Sequence, residues 1–180
     1  GCPSKKVSQG RMGACLMKEA DIVRDCVKTM ISESSSEVSV KCRIGVDEFE
    51  SYNFFKEFIS NVSSSGCKTF FVHARKAFLK GLDPKKNRTL PPLKYDYVYR
   101  LKREMPQLNI IINGGIQTLE ECHNQLKSVD GVMVGRSIQA NPFFLEEVDH
   151  QFYNQKMRSL EKNQVIAKYF EYVKENIDTV

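Results

Sequence analysis

Hydrophobic positions along the chain recur with two different periods. Between residues 15 and 140, stretches with apolar residues at helical spacing alternate with short runs of valine, isoleucine and phenylalanine. The predicted helices are Cys15–Met30, Ser51–Ser64, Tyr95–Glu104 and Leu119–Leu126. The predicted strands are Val38–Ile44, Thr69–His73, Asn109–Ile112 and Gly131–Val134, and a polar loop spans Ala74–Pro92. This alternation predicts an α/β fold with a parallel sheet.

The composition of the strands narrows the choice of architecture. They are apolar on both faces, as in FFV at 70–72 and VMV at 132–134, which is typical of parallel strands covered on both sides. Such a sheet occurs in a TIM barrel or in a doubly wound open sheet. Polar residues at the C-terminal ends of the strands favour the barrel, because barrel enzymes build their active sites on that face. They are Lys41, Arg43, His73, Arg75, Asn113, Gly135 and Arg136.

The number of strands predicts how much of a barrel is present. A complete TIM barrel has eight strands in about 250 residues, whereas this chain of 180 residues supplies four predicted strands. We therefore predict a partial TIM (β/α)8 barrel, its C-terminal half with the fifth to eighth strands, over residues 1–142. Beyond it, the helical patterns FFLEEVDHQFYNQ and SLEKNQVIAKYFEYVKENI predict a C-terminal helical segment over residues 143–180. Because the chain opens within a loop and without an initiator Met, we expect it to be part of a larger protein.

Composition excludes some classes of function. The chain is 41% hydrophobic and 27% charged, as globular proteins are, and no apolar run approaches the roughly 20 residues that span a bilayer. A net charge of +5 is compatible with an anionic partner. The six cysteines form neither a CxxC pair nor a cluster with histidine. This pattern indicates reduced thiols in the cytoplasm and no metal site, and we expect no membrane association.

The first seventeen residues, GCPSKKVSQGRMGACLM, have the composition of a reactive-site loop. Glycines, a proline and basic residues such as Arg11 precede Cys15, which lies where the loop turns into the first predicted helix. A thiol at such a place is both exposed and polarised. The alternative for any cysteine is a small buried hydrophobic residue, which suits Cys26 and Cys67. Cys15 is the candidate catalytic residue, and the sequence leaves the role of Cys2 open.

Two glycine-containing segments, INGGIQTLEE and VMVGRSIQANP, are candidate phosphate-binding loops. Glycines at a strand end let backbone N–H groups approach an anion closely, and arginine adds a bidentate contact. Thr118 and Glu121 fit a capping box at the start of the following helix. The alternative is that the glycines only serve tight turns. The candidate phosphate-binding residues are Gly114, Gly115, Gly135 and Arg136.

Further basic residues cluster around the same strand ends. Lys41 in VKCRIG and His73 in FFVHAR are placed to face a ligand in the barrel mouth, although a lysine at a barrel rim also extends to solvent. The basic loop, Arg75–Arg88, has a single acidic residue, Asp83. A basic loop with an interleaved aromatic residue suits a polyanion such as RNA. Its cations are Arg75, Lys76, Lys80, Lys85, Lys86 and Arg88.

Several of these motifs occur together in one known family. GCPS…GRMGACLM, VKCRIG, FFVHARKAFLKGL, NRTLPPLKYDYVYRLK, INGGIQT and DGVMVGR resemble the tRNA-dihydrouridine synthases, and NRTLPPLKYDYVYRLK resembles their A-type subgroup in particular. The resemblance extends from residue 1 to about residue 145. It implies an FMN-containing barrel followed by a helical domain, and a monomer that binds tRNA. It also implies reduction of the uridine C5=C6 bond in the tRNA D-loop, with NADPH as the reductant.

The resemblance also implies roles for individual residues. Cys15 would donate a proton to uracil C5, after hydride transfer from FMN to C6. A thiol suits a proton donor because the ordinary cysteine pKa is about 8.5. Lys41 and His73 would contact the flavin ring and ribityl chain. The remaining flavin ligands would be Asn113, Gly114, Gly115, Gly135 and Arg136, while Arg11, Arg75, Lys76 and Lys80 would contact the substrate nucleotide or the tRNA backbone.

Two other interpretations remain open from the sequence. The chain is either a different FMN-dependent barrel oxidoreductase or a non-catalytic fragment that binds RNA. The basic loop and Cys15 argue against the first alternative, and the four missing strands argue for the second. Because those strands supply the floor under the flavin in this family, we expect the isolated chain to bind FMN weakly and to have little activity.

Overall fold

The computed structural model describes residues 1–156 and 161–177. Its central element is one sheet of four parallel strands that are neighbours in chain order: β1 (Ser39–Arg43), β2 (Thr69–His73), β3 (Asn109–Asn113) and β4 (Gly131–Met133). The four predicted strands are confirmed, and each boundary agrees to within one residue. Helices connect successive strands, as parallel pairing requires.

The helices alternate with the strands up to residue 136 and continue beyond it. The α-helices are α1 (Lys5–Gln9), α2 (Ala20–Glu33), α3 (Tyr52–Ser63), α4 (Tyr95–Glu104), α5 (Leu119–Leu126), α6 (Arg136–Ala140), α7 (Val148–Tyr153) and α8 (Lys162–Asn176). Short 3-10 helices span Gly13–Lys18, Lys86–Arg88 and Pro142–Glu147. The chain divides into two compact units, residues 1–136 and 137–180.

Helix caps explain where two of these helices begin. Ser51 precedes α3, and its hydroxyl accepts a hydrogen bond from the Phe54 amide at 3.1 Å. The predicted capping box at α5 is confirmed: Thr118 Oγ1 accepts from the Glu121 amide at 3.1 Å, while Glu121 Oε2 accepts from the Thr118 amide at 3.2 Å. These contacts satisfy amides at the helix start that have no partner within the helix.

The N-terminal segment differs from the prediction. Instead of one helix over Cys15–Met30, a 3-10 helix and α2 are separated at Glu19, whose φ of −126° and ψ of 53° are not helical. The short helix α1 was not predicted, because five residues are too few to show a period. It begins after Ser4, whose hydroxyl accepts a hydrogen bond from the Val7 amide at 3.4 Å.

The C-terminal helices also differ in their bounds. The first predicted helix divides into a 3-10 helix and α7, which ends at Asn154 in the left-handed conformation (φ 52°). The second begins at Lys162 in the structure. Its predicted first residues, Ser159 and Leu160, lie outside the described residues.

One face of the sheet forms the core. The side chains of Phe70, Val72, Ile110 and Ile112 are fully buried, while α4 packs on β3 and α5 on β4. Full burial of such side chains stabilises a fold by about 1.5–3 kcal/mol each. On the other face, Phe71 and Ile111 are half-buried, and Lys41 and Met133 are exposed. Arg43 and His73, on this same face, are buried. Among the described residues, the second face is therefore only partly covered.

A polar cluster joins α3 to α4 on the outside of the core. Glu104 accepts hydrogen bonds from Tyr52 Oη (3.0 Å) and Arg100 Nε (2.7 Å), and it pairs with Lys56 at 2.8 Å. The Arg100 guanidinium also lies 3.9 Å from the centre of the Tyr52 ring. The hydrogen bonds from Lys56 and Arg100 lower the pKa of Glu104 to about 2. The folded state thus favours the ionised carboxylate, and this stabilisation is complete above pH 4.5 and lost as the pH falls towards 2.

We predict that Glu104→Gln lowers the free energy of unfolding at pH 7 and weakens the acid sensitivity of the fold between pH 4.5 and 2. Urea unfolding of both proteins across this range measures the difference. Glu57→Gln, at an exposed position on α3, is the matched control and should behave as the unsubstituted protein. Parallel pH profiles for Glu104→Gln and the unsubstituted protein would contradict the assignment.

Candidate active site

The strand register aligns three polar residues at the carboxyl edge of the sheet. Arg43 on β1 pairs with His73 on β2, and His73 pairs with Asn113 on β3. Met133 of β4 continues the same row. Because side chains alternate along a strand, Lys41 lies on the same face of β1 as Arg43, two residues earlier. The row therefore places two predicted ligand residues, His73 and Asn113, side by side, and the predicted ligand residue Lys41 lies on the same face of the sheet.

Lys41 and Asn113 are bound to each other across the intervening strand. The Lys41 ammonium donates to Asn113 Oδ1 at 3.1 Å, and Asn113 Nδ2 donates to the Met133 carbonyl at 2.7 Å. These contacts fix the orientation of the Asn113 amide. Partial desolvation, and then the charge of Arg43, lower the pKa of Lys41 below its usual value.

His73 is a buried, neutral histidine. Burial, reinforced by the charges of Arg43, Lys41, Arg75 and Arg136 in that order, lowers its pKa to about 3. An uncharged imidazole carries one N–H donor and one nitrogen acceptor, so it suits a neutral hydrogen-bonding ligand rather than an ion pair.

The two glycines after β3 are required by the fold itself. Gly114 and Gly115 have φ values of +114° and +77°. A Cβ at Gly114 would lie 2.5 Å from the His73 ring, and one at Gly115 would lie 2.6 Å from the Leu93 side chain. The carbonyl oxygen of Gly114 also accepts a hydrogen bond from Tyr95 Oη at 2.6 Å. The tight-turn explanation therefore holds for both residues, and backbone approach to an anion would be an additional role.

Gly135 differs from these glycines. Its φ is outside the left-handed region, and a Cβ built on it meets no heavy atom of the described residues within 4 Å. The fold alone does not explain this glycine, whereas a ligand that approaches the backbone would. The next residue, Arg136, is exposed, and its guanidinium donates to the Arg88 carbonyl at 3.3 Å.

Arg43 is buried and links β1 to the basic loop. Its Nη1 donates to the carbonyl oxygens of Asn87 at 3.0 Å and Lys76 at 3.5 Å. Burial, together with the nearby charges of Arg75 and Arg88, lowers the pKa of Arg43 to about 10. No carboxylate among the described residues forms an ion pair with Arg43, Lys41, Arg75 or Arg136. The edge of the sheet is thus a cluster of cations without described anionic partners.

Asn87 organises the basic loop, and sequence analysis missed it. Its side chain is fully buried. Its amide nitrogen donates to the carbonyls of Phe78, Leu82 and Asp83 at 2.9, 3.1 and 3.3 Å, and its oxygen accepts from the Phe78 amide at 2.8 Å. A polar residue in a charged loop carries no periodic signal, and only its place in the motif NRTLPP could have drawn attention to it.

The structure separates the four predicted RNA-contacting residues. Arg75 lies beside His73 and Arg136 and donates to the Pro91 carbonyl. Its buried Nε has no hydrogen-bond partner among residues 1–156 and 161–177. Lys76 pairs with Glu50 at 2.5 Å and lies 4.6 Å from the Phe78 ring centre. Lys80 is exposed. Arg11 is exposed on the N-terminal segment and pairs with Glu19 at 3.3 Å. Arg75 thus lies with the predicted flavin ligands, apart from the exposed loop cations.

The N-terminal segment brings two thiols to the edge of β1. The backbone nitrogen of Gly1 donates to the Lys41 carbonyl at 3.1 Å, and the Ala14 amide donates to the Cys2 carbonyl at 2.8 Å. Lys18, at the end of the 3-10 helix, pairs with Asp47 beyond β1 at 3.2 Å. The segment is therefore fixed beside β1 at both of its ends.

The two thiols differ in their surroundings. Cys15 is half-buried inside the 3-10 helix, and its Sγ donates to the Met12 carbonyl at 3.1 Å. Cys2 is exposed and lies 3.4 Å from Ser4 Oγ. Hydrogen bonds with Ser4 lower the pKa of Cys2.

The described residues contain no group of three or more histidine, cysteine or acidic side chains that could hold a metal ion. Within the same residues, no helix is both long and apolar enough to cross a membrane.

His73 makes a testable contribution to the pH dependence of stability. Because its folded pKa is about 3 and its unfolded pKa is about 6.5, only the unfolded state takes up this proton between those values. We predict that stability falls through this window as the pH drops, by up to ~1.4 kcal/mol per pH unit for this group. His73→Asn should flatten that part of a urea-unfolding profile. An unchanged profile for His73→Asn would show that the buried imidazole titrates normally.

Comparison with known proteins gives a single family. The family profile described as Dihydrouridine synthase (Dus) matches residues 1–180. Three relatives carry the name tRNA-dihydrouridine(20/20a) synthase. The one from Pasteurella multocida is 47% identical to this chain over 177 residues, which cover 98% of this chain and 54% of that protein. The relative from Yersinia pestis is 46% identical over 178 residues, which cover 98% of this chain and 52% of that protein. The relative from Shewanella oneidensis is 47% identical over 177 residues, which cover 98% of this chain and 53% of that protein.

These matches settle the fold and the family. The chain spans about half the length of the curated relatives it matches. Its four parallel strands and their helices form part of a TIM barrel, so the predicted fold class is confirmed. The sequence resemblance to the A-type subgroup is confirmed by identities of about 45% along nearly the whole chain. The chain belongs to the dihydrouridine synthase family.

Proposed function

We propose that this protein reduces the C5=C6 bond of uridine in tRNA, with FMN as its cofactor and NADPH as the reductant. The observation that carries the proposal is the cationic edge of the sheet, where Lys41, Arg43, Arg75 and Arg136 surround the neutral His73 without a described carboxylate to pair with them. Such an edge is suited to an anionic ligand that also offers neutral hydrogen-bonding groups. A phosphorylated flavin has both features.

The residues present fit a flavin mononucleotide. Within the described part of the chain, the Cβ position of Gly135 is open and the Nε of Arg75 has no hydrogen-bond partner. These two features leave room and hydrogen-bonding capacity at the cationic edge. Gly135 and Arg136, with Gly114 and Gly115, would hold the phosphate. Lys41, His73 and Asn113 would hold the ring and the ribityl chain, since they line the half-open face of the sheet. When bound, the reduced flavin supplies a hydride to uracil C6.

The loop beside this edge is also suited to a tRNA substrate. The exposed cations of the basic loop, Lys80, Lys85, Lys86 and Arg88, lie on a loop that is hydrogen-bonded to the flavin-side residues Arg43 and Arg136. Phosphate contacts by such cations would hold the tRNA while the uracil leaves its stack, as base chemistry in a folded nucleic acid requires. We propose positions 20 and 20a as the targets, following the label 20/20a in the names of the relatives.

Completion of the reduction needs a proton at uracil C5, and a thiol of the N-terminal segment would supply it. Sequence analysis predicts Cys15. The geometry favours Cys2, because Cys2 is exposed whereas Cys15 is half-buried, and because the nitrogen of the neighbouring Gly1 donates to the Lys41 carbonyl. We therefore propose Cys2 as the proton donor, with Cys15 as the alternative. In either case, the C5=C6 bond receives one hydride and one proton, and the resulting thiolate is reprotonated from solvent.

The direct test of the proposed function is the dihydrouridine content of tRNA. We expect that deleting the gene removes dihydrouridine at positions 20 and 20a, and that the protein expressed from its complete gene restores it in the presence of NADPH. Mass spectrometry of tRNA digests measures both. Unchanged dihydrouridine after deletion, together with NADPH oxidation by small-molecule acceptors, would favour a different flavin oxidoreductase.

The cysteine assignment leads to a separate prediction. Cys2→Ala should reduce the rate of dihydrouridine formation by about 100-fold or more, which is the usual contribution of a positioned general acid. Cys15→Ala should change the rate by only a few-fold. Single-turnover assays with prereduced enzyme compare the two variants directly. The reverse ranking would restore Cys15 as the proton donor.

The cofactor assignment is tested without activity. We predict that Arg136→Ala weakens FMN binding by about tenfold to hundredfold, as expected for the loss of charge-assisted hydrogen bonds worth about 1.5–3 kcal/mol. Equilibrium dialysis with absorbance at the flavin band measures binding by the protein expressed from its complete gene. Arg103→Ala, at an exposed position on α4, is the control. Equal affinities of the two variants would exclude Arg136 as a phosphate ligand.

A further inference from the structure

One buried side chain closes the basic loop through hydrogen bonds. Asn87 is fully buried within it, and all of its amide atoms are used. The nitrogen donates to three carbonyls, those of Phe78, Leu82 and Asp83, and the oxygen accepts from the Phe78 amide. Residues 78–83 are thereby closed onto residue 87. Because buried backbone groups need partners, removal of this side chain would leave several polar atoms unsatisfied.

The closed loop is also attached to the sheet. The Asn87 carbonyl accepts from Arg43, which is buried at the end of β1, and the next carbonyl, that of Arg88, accepts from Arg136 after β4. Two arginines of the cationic edge thus bind consecutive carbonyls of the loop, so the segment that Asn87 closes is also fixed to the sheet.

The outer side of this loop is a set of exposed cations. One acidic side chain, Asp83, lies among them; it is 4.0 Å from the Lys86 ammonium, and it accepts a hydrogen bond from the Lys86 amide. The other cations have no described acidic partner. The exposed cations are Lys80, Lys85, Lys86 and Arg88.

We propose that Asn87 is a positioning residue for RNA binding, because its side chain holds the loop in the conformation that presents Lys80, Lys85, Lys86 and Arg88 together to the phosphates of the tRNA. Asn87 itself touches no substrate. A flexible loop would lose conformational freedom on binding, and a loop closed by Asn87 has already lost it. This inference rests on the proposed function for the identity of the polyanion.

The experiment is a double-mutant cycle on tRNA binding by the protein expressed from its complete gene. Each phosphate contact contributes roughly 0.7–0.9 to the slope of log affinity against log salt. We expect Asn87→Ala to weaken tRNA binding about tenfold at low salt and to reduce the size of this slope by about two. The variant that combines Lys85→Ala with Lys86→Ala should show the same two effects. Adding both lysine substitutions to Asn87→Ala should weaken binding by less than about twofold more. Additive effects would overturn the proposal.

Three controls separate a positioning role from general destabilisation. Asn87→Asp keeps the acceptor for the Phe78 amide but places a carboxylate among three carbonyl oxygens, so it should behave as Asn87→Ala does. Asn124→Ala, at an exposed position on α5, should bind tRNA normally. Both Asn87 variants should be cleaved faster by trypsin at Lys80, Lys85 and Lys86, while FMN affinity remains within about twofold. Unchanged cleavage would overturn the proposal.

If both Asn87 variants fail to fold, the variant that combines Lys85→Ala with Lys86→Ala still tests whether the loop binds RNA. We expect this variant to fold, because both lysines are exposed. If it binds tRNA with unchanged affinity and salt slope, the loop does not bind RNA and the proposal is overturned. Failure of the proposed function has a different signature: the unsubstituted protein would bind tRNA but form no dihydrouridine. In that case the binding cycle still decides the role of Asn87.

Discussion

The register of the parallel sheet is the constraint on which the candidate site depends. It pairs Arg43 with His73 and His73 with Asn113, so charged and polar side chains from three strands share one edge. Burial disfavours the charged forms of His73 and Arg43, and the neighbouring cations add to this effect, which is why their pKa values fall to about 3 and about 10. The fold tolerates this arrangement because apolar side chains such as Phe70 and Ile112 fill the opposite face of the same strands.

The loops around this edge are positioned by hydrogen bonds to it. Arg43 binds the Asn87 carbonyl, Arg136 binds the Arg88 carbonyl, and Asp47 accepts from the Leu79 amide at 2.8 Å. The segment that carries the two cysteines contacts the Lys41 carbonyl in the same way. Cofactor, substrate and proton-donor functions, as proposed, therefore share one rigid element, although they reside on different loops. This organisation fits the barrel enzymes, whose strands support loops that carry the chemistry.

Sequence patterns predicted those features that depend on local physics. The strands, the capping box of Thr118 and Glu121 and the family motifs were all found, because each has a period or a fixed spacing. The burial of Arg43 was not, because it depends on a contact with Asn87, which is 44 residues away in the chain. The break at Glu19 and the four hydrogen bonds of Asn87 were not either, because they follow no period or fixed spacing. The choice between Cys2 and Cys15 likewise depends on their exposure, which spacing does not encode.

A crystal structure of the protein expressed from its complete gene, grown with FMN, tests the central claim most directly. The claim is that the cationic edge of the sheet forms a flavin site. The expected result is a flavin over the half-open face of the sheet, with its phosphate bound to Arg136 and to the backbone at Gly135, and with Lys41 and His73 at the ring and ribityl chain. A flavin held away from these residues, or a cationic edge that binds only other parts of the same protein, would contradict the account.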